Sequence, residues 1–309
     1  MAKNNWTFNN IPDLQGKTII VTGGNSGLGY ESVKAFAQKG AKVVLACRNL
    51  EKGEKAKREI LKENISGEIH VMQLDLANLI SVKTFAEQFK QQNNQLDVLL
   101  NNAGIMATPD VKTDDGFEAQ LGTNHLGHFA LTGHLLPLLK VTSHSRVVNV
   151  SSLAHKGGEI DFDDLMFEKG RKFKPMRAYG QSKLANLLFT YELQRFFEAN
   201  NIDCIAAAAH PGGSNTRLAN HFETTKLMEI VSKIARGIMQ SAAKGALPQI
   251  RASVDANVNG GDYFGPNGIG ELFGFPVLVS PTKAAMNIED AKRLWAVSEQ
   301  LTGVRFIDN

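Results

Sequence analysis

The stretch KTIIVTGGNSGLGYESVKAFAQKG, residues 17–40, joins an apolar run, a glycine-rich turn and an amphipathic segment. The β-branched run at residues 17–23 is typical of a buried strand. Apolar residues then recur at helical spacing over residues 26–38, and Gly40 ends the pattern. A strand that runs through a tight turn directly into a helix is the opening unit of a parallel α/β sheet.

The same alternation of strand and helix continues along the chain. Further buried strands are predicted at residues 41–48, 69–76, 96–104, 146–152 and 203–212. Helices are predicted at residues 51–63, at 80–91, at 115–139 with a bend near Pro137, and from Tyr179 onward.

This pattern predicts the fold class. We expect one Rossmann-type, doubly wound parallel sheet of about seven strands, with helices on both of its faces. No linker or internal repeat divides the sequence, so residues 1–309 are expected to form a single domain. Irregular structure is expected near residues 153–176 and 213–285.

Composition excludes several classes of protein. The net charge of +3 is small and the basic residues are dispersed, which argues against a nucleic-acid partner. No run of 18 apolar residues is present, so no membrane span is expected. The polar first residues do not resemble a signal peptide, and Cys47 and Cys204 form no metal or redox motif. These features favour a cytoplasmic location.

The glycine-rich turn has the context of a dinucleotide site. Glycines at 23, 27 and 29 stand where the strand becomes a helix. Glycine allows the backbone to approach a pyrophosphate closely, and the helix N-terminus favours its negative charge. A glycine turn without a ligand is the alternative, but the flanking strand and helix make it less favoured.

The end of the second strand bears on the choice of cofactor. A carboxylate here would bind the ribose 2′-hydroxyl of NAD, but the sequence reads LACR and ends in Arg48. A guanidinium suits a 2′-phosphate, so NADP is expected in preference to NAD. Asp75, after the third strand, is expected to accept a hydrogen bond from the adenine amino group.

Tyr179 and Lys183, in YGQSK, are four residues apart and share one helix face. The ordinary pKa of tyrosine is about 10, and an acid or base catalyst at neutral pH would work better with a value about two to three units lower. A neighbouring ammonium could lower it. Taken alone, the pair is more typical of a solvated helix surface.

The order of five motifs changes that interpretation. TGGNSGLG, LNNAG at 100–104, NVSS at 149–152, YGQSK at 179–183 and HPGG at 210–213 resemble the short-chain dehydrogenase/reductase family. The resemblance covers about residues 15–215, the expected cofactor-binding and catalytic core. TNHLGHF, LACRN, NVSSLAH and PNGIGELFG are most similar to the branch that contains the retinol dehydrogenases and their bacterial relatives.

The resemblance implies specific roles. Tyr179 would exchange a proton with the substrate oxygen, and Lys183 would bind the nicotinamide ribose and lower the pKa of Tyr179. Ser152, the second serine of the pair, would orient the carbonyl, because that position carries the role in the family. Ser151 and Ser152 point in opposite directions on a strand, so only one of them can serve. Asn124 would hold a water in the proton path. The expected cofactor-binding residues are Gly23, Asn25, Ser26, Gly27, Leu28, Gly29, Arg48, Asp75, Leu76, Asn102, Ala103, Gly104, Tyr179, Lys183, Pro211 and Gly212.

The implied activity is an NADP(H)-dependent oxidoreductase that acts on a lipophilic alcohol, aldehyde or ketone. A catalytically inactive NADP-binding sensor and a sugar-nucleotide epimerase or dehydratase are the alternatives. Residues 154–178 form an insertion relative to many family members and are expected to shape the substrate mouth. Residues of the 213–285 region are expected to supply substrate loops, with 213–245 as a lid.

Other patterns carry less weight. His125, His128 and His134 lie on one predicted helix, but no carboxylate or cysteine stands at partner spacing, so no metal is expected. An apolar stripe at residues 228–239 fits core packing as well as a lid. The oligomeric state stays open, with a homo-oligomer as one possibility.

Overall fold

The computed structural model describes residues 5–213 and 240–306 of the 309-residue chain. Its strands form one sheet in the order β3-β2-β1-β4-β5-β6-β7-β8. Strands β1 to β7 pair in parallel, and β8 pairs with β7 in the antiparallel direction. The strands are β1 Thr18–Thr22, β2 Lys42–Cys47, β3 Glu68–Gln73, β4 Val98–Asn101, β5 Ser145–Val150, β6 Cys204–Ala209, β7 Tyr263–Pro266 and β8 Pro276–Leu278.

Helices cover both faces of this sheet, as the sequence predicts. They are α1 Gly27–Gln38, α2 Leu50–Ile60, α3 Leu79–Gln92, α4 Gly127–Val141, α5 Pro175–Ala199, α6 Ala242–Val254 and α7 Ile288–Thr302. Alternate residues of β1 enter opposite cores: Ile19 joins the core with α1 and α6, while Ile20 joins the core with α3, α4 and α5. Burial on both faces explains why β1, β2 and β4 are almost continuously apolar.

The helix before β5 continues through Pro137, which lies inside α4. Proline removes a single N–H donor, and Pro137 lies close to the C-terminal end of the helix, where this loss affects little of the hydrogen-bond ladder. A further irregularity lies just before α4, where Gly122–Leu126 forms a π-helical turn. Such turns occur frequently at functional sites.

The prediction of irregular structure over residues 213–285 is wrong for much of that region. Helix α6 packs on α1, and β7 and β8 extend the sheet beyond β6 to eight strands. The two added strands are only 4 and 3 residues long and contain glycine or proline, so they carry no clear periodic signal. Residues 153–176 contain a short 3-10 helix, Leu153–Gly157, and the first turn of α5, with irregular backbone between them.

An aromatic cluster joins three helices to the end of the described chain. Phe306 is buried, with its ring centroid 4.9 Å from that of Phe129 on α4 and 4.5 Å from that of Trp295 on α7. Phe189 on α5 lies 5.2 Å from Phe129. Phe306 therefore closes the hydrophobic core on the side of the sheet that α4 and α5 cover.

We expect Phe306→Ala to lower the free energy of unfolding by about 3–5 kcal/mol, because it removes a buried ring and leaves a cavity. Urea unfolding followed by circular dichroism measures this change. Ile80→Ala, at a side chain that is 76% exposed, is the control and should stay within about 0.5 kcal/mol of the parent. Equal effects of both substitutions would contradict a sealing role for Phe306.

Candidate active site

A groove opens at the carboxyl ends of the first four strands, where the strand order reverses between β1 and β4. Ligands of open α/β sheets bind at this kind of switch point. The groove contains every predicted cofactor-binding residue up to position 104: Gly23, Asn25, Ser26, Gly27, Leu28, Gly29, Arg48, Asp75, Leu76, Asn102, Ala103 and Gly104. It also contains residues that were not predicted, namely Ala46, Cys47, Leu74, Ile105, Met106 and Thr123.

Two glycines of the turn are required by its geometry. Gly23 has φ +67°, a conformation that other residues adopt only with strain. A Cβ at Gly29 would lie 2.4 Å from the Gly23 carbonyl oxygen and 2.6 Å from Asn102 Nδ2. The start of α1 can therefore pack this closely against the turn and the residue after β4 only without a side chain at position 29.

Thr22 ties β1 to the end of β4 and to the start of α4. Its Oγ1 accepts the backbone N–H groups of Asn102 and Ala103, each at 2.9 Å, and lies 2.9 Å from His128 Nε2. His128 Nδ1 lies 2.9 Å from the Asn124 carbonyl, so it carries the proton, and Nε2 accepts from the Thr22 hydroxyl. Burial lowers the pKa of His128 to about 4, which keeps the ring neutral for this arrangement.

Sequence reasoning missed both Thr22 and His128. A hydroxyl residue at the end of an apolar strand, directly before the glycine turn, was the available signal. His125 also has a structural contact, since its Nε2 lies 2.9 Å from Ser298 Oγ. Within the described ranges, no cluster of three or more histidine, cysteine, aspartate or glutamate side chains is arranged to hold a metal.

Asn124 lies in the π-helical turn and is fully buried. Its Oδ1 accepts Ile105 N–H at 2.8 Å, while Nδ2 donates to the Ile105 carbonyl at 3.0 Å and to Ser182 Oγ at 2.9 Å. The side chain thus holds the loop after β4 against α5. These protein contacts occupy both Oδ1 and Nδ2 of Asn124. The expected role of Asn124 in holding a water stays a prediction.

Ser152, and not Ser151, faces Tyr179. The Ser152 side chain lies close enough to the Tyr179 hydroxyl to lower its pKa. Ser151 points the other way and donates to the Lys183 carbonyl at 2.8 Å. The two serines therefore point in different directions, one toward the tyrosine and one toward the backbone of α5.

Lys183 is buried beside the groove. Its Nζ donates to the Val150 carbonyl at 3.0 Å, and a Cβ at Gly104 would lie 3.4 Å from it. Nζ is 5.7 Å from the centre of the Tyr179 ring. Burial lowers the pKa of Lys183 to about 8.

The pKa of Tyr179 does not show the expected decrease. Burial raises it to about 12, because desolvation disfavours the phenolate, and the nearby Ser152 side chain only partly opposes that change. At neutral pH the hydroxyl of Tyr179 is therefore protonated in this structure.

Pro211 and Gly212 form a bend after β6. Gly212 has φ +64°, and its N–H donates to His210 Nδ1 at 3.2 Å. The Pro211 carbonyl accepts Gln240 Nε2 at 2.8 Å. Apart from Gly213 and residues 240–245, the predicted lid and the apolar stripe at 228–239 lie outside the described residues.

Comparisons with known proteins identify the same family that the order of the motifs indicates. The sequence profile of the short chain dehydrogenase family matches residues 17–163. Retinol dehydrogenase 13 of Homo sapiens is 40% identical over 298 residues, which cover 94% of this chain and 86% of that protein. The chain belongs to the short-chain dehydrogenase family. Retinol dehydrogenase 12 of Homo sapiens is 39% identical over 295 residues, covering 95% of this chain and 88% of that protein.

Solved structures show the same fold. An uncharacterized protein from Mycobacterium Paratuberculosis is 41% identical, with a TM-score of 0.82 that covers 98% of this chain and all of that chain. The RhlG/NADP active-site complex of Pseudomonas aeruginosa is 22% identical, with a TM-score of 0.64 over 81% of this chain and 94% of that chain. The second likeness concerns the fold alone.

Family membership establishes the general activity. The protein is a dehydrogenase or reductase that acts on alcohol or carbonyl groups, and the family uses NAD or NADP. The groove fits a dinucleotide, because glycines line it and the N-terminus of α1 faces it. Within residues 5–213 and 240–306, no helix combines the length and apolar character needed to cross a bilayer.

We expect Lys183→Met to stabilise the protein without cofactor at pH 7, by up to about 3 kcal/mol, because it removes a buried ammonium. The native pKa of about 8 lies below the ordinary 10.5. The unfolded chain therefore holds more protons between these values, and the parent gains stability as pH rises through this window. The advantage of the variant should be full below pH 8 and shrink toward pH 10.5.

Urea unfolding at pH 7 and pH 10 measures this difference. Lys172→Met removes an exposed ammonium from the insertion and serves as the control, with the same small effect at both pH values. A Lys183→Met variant that is less stable than the parent at pH 7 would show that the contact with the Val150 carbonyl outweighs desolvation.

Proposed function

We propose that the protein is an NADP(H)-dependent oxidoreductase that transfers hydride between the nicotinamide and a lipophilic alcohol or carbonyl compound. One observation carries the proposal. The buried Lys183 ammonium lies beside Gly104 at one end of the dinucleotide groove and 5.7 Å from the centre of the Tyr179 ring, and Ser152 lies close enough to Tyr179 to lower its pKa. The names of the retinol dehydrogenase relatives support a lipophilic substrate.

Each of these side chains has a defined task. When bound, the nicotinamide supplies hydride to a carbonyl carbon or accepts it from an alcohol. Tyr179 donates its proton to the carbonyl oxygen during reduction and takes it back during oxidation. Ser152 donates a hydrogen bond to the same oxygen and fixes its distance from Tyr179. Lys183 binds the nicotinamide ribose, and its positive charge favours the phenolate as the proton leaves.

Arg48 supports the choice of NADP. It lines the groove directly after β2, and its side chain is exposed. In the part of the chain that the structure describes, no carboxylate forms an ion pair with this guanidinium. A 2′-phosphate would supply the missing negative charge and form a charge-assisted, bidentate pair.

The two cysteines support the proposed cytoplasmic location. Cys47 and Cys204 are buried and unpaired, which suits a reducing compartment. Both thiols lie in strands that pack against helices, and burial raises the pKa of each, so neither is a reactive thiolate.

Tyr179→Phe should lower turnover by about 10²–10⁴-fold, because it removes the general acid and leaves the ring to pack. NADPH affinity should stay close to that of the parent. Absorbance at the nicotinamide band, measured with a panel of aldehydes and ketones, gives the rate. Tyr191→Phe removes the same oxygen from the same helix and is the matched control. Parental turnover in Tyr179→Phe would overturn the mechanism.

Arg48→Asp should weaken NADPH binding by about 10- to 100-fold, since it removes a charge-assisted pair and adds repulsion. NADH binding should change far less. Nicotinamide fluorescence titration measures both affinities. Arg58→Asp makes the same charge reversal on α2 outside the groove and is the control. Equal losses for NADPH and NADH would contradict a role for Arg48 in cofactor choice.

A further inference from the structure

Glu271 occupies an unusual backbone conformation in the loop between β7 and β8. Its φ is +60°, directly after Gly270 at +61°. Side chains are rarely found in this left-handed region, and one that is held there commonly has a function. Glycine would adopt this conformation without strain. A glutamate at this position is strained, and a contact of its side chain offsets that strain.

That contact is with His210. Glu271 Oε2 lies 2.9 Å from His210 Nε2, and Glu271 Oε1 accepts Lys156 Nζ at 3.0 Å. The proton on the buried imidazole can be assigned, because Nδ1 accepts the Gly212 N–H at 3.2 Å. Nε2 therefore carries the proton and donates it to the carboxylate.

The loop and the bend after β6 also touch through their backbones. Gly213 N–H donates to the Leu272 carbonyl at 2.8 Å. A Cβ at Gly212 would lie 2.7 Å from the Glu271 carbonyl oxygen and 2.6 Å from that of Leu272. The imidazole of His210 thus connects Glu271 on one side with the backbone of Gly212 on the other.

We propose that Glu271 is a positioning residue for the catalytic end of the groove. Through His210 it fixes the backbone of Pro211 and Gly212, which line the nicotinamide end if the proposed function holds. Lys156 contributes little to this role, because its ammonium is half-exposed and solvent weakens the ion pair.

The effect of Glu271 should be confined to one end of the cofactor. Arg48 follows β2, whereas the Pro211 bend follows β6, and four strand spacings separate β2 from β6. At roughly 4.8 Å per spacing the two ends are about 19 Å apart across the sheet. A disturbed bend should therefore weaken contacts to the nicotinamide and leave the adenosine half unaffected.

The test compares two ligands, NADPH and 2′,5′-ADP, which contains only the adenosine half. Glu271→Ala should weaken NADPH binding by about 10-fold, the effect of one lost charge-assisted bond, and leave 2′,5′-ADP binding unchanged. Its kcat should fall by a similar factor. Glu271→Gln keeps an acceptor for His210 and should restore most of the affinity and rate. Lys156→Ala removes only the ion pair and should behave like the parent.

Two results would overturn the proposal: parental NADPH affinity and kcat in Glu271→Ala, or equal weakening of NADPH and 2′,5′-ADP. If Glu271→Ala does not fold, Glu271→Gly decides by the same comparison, because glycine relieves the left-handed strain. A parent that binds NADPH but reduces no carbonyl compound refutes the proposed function, while the two binding measurements still decide the role of Glu271. A parent that binds neither ligand overturns both proposals.

Discussion

The hydroxyl of Thr22 holds together the two strands between which the groove opens. It accepts two backbone N–H groups at the end of β4 and donates to a neutral His128 on α4. Without it, the Ala103 N–H would lose its acceptor, at about 1–3 kcal/mol, and the Asn102 N–H would keep only the Leu100 carbonyl at 3.0 Å. His128 in turn contacts the carbonyl of Asn124, whose side chain fixes Ile105 and reaches Ser182 on α5. One hydroxyl therefore aligns the groove with α5.

The burial that fixes Lys183 and Tyr179 in place also disfavours the charged forms of both side chains. Lys183 is enclosed with the Val150 carbonyl as its hydrogen-bond acceptor, and Tyr179 is nearly as deeply buried. Desolvation lowers the pKa of the ammonium and raises that of the phenol, so both shifts favour neutral side chains. A bound dinucleotide would bring ribose hydroxyls to the ammonium. The fold thus keeps Lys183 and Tyr179 in buried positions that disfavour their charged forms, as a preorganised site requires.

Sequence reasoning succeeded for features that are determined by residues close together in the chain. Glycine motifs, strand alternation and the opposite directions of Ser151 and Ser152 follow from backbone geometry within a few residues. It failed where the cause lies far along the chain. The Thr22–His128 contact spans 106 residues and the His210–Glu271 contact spans 61, and neither leaves a periodic pattern. The short strands β7 and β8 were missed because four and three residues are too few to show alternation.

The insertion at residues 154–178 contacts the helix that carries Tyr179 and Lys183. Its buried Arg171 donates to Gln181 Oε1 at 2.6 Å, while Gln181 Nε2 donates to the Leu165 carbonyl at 2.9 Å. Gln181 stands between Tyr179 and Lys183 in sequence, so its side chain projects from the opposite side of the same helical turn. These hydrogen bonds fix the insertion to the helical turn that carries Tyr179 and Lys183. A change in this segment would act on the orientation of Tyr179 as well as on access to it.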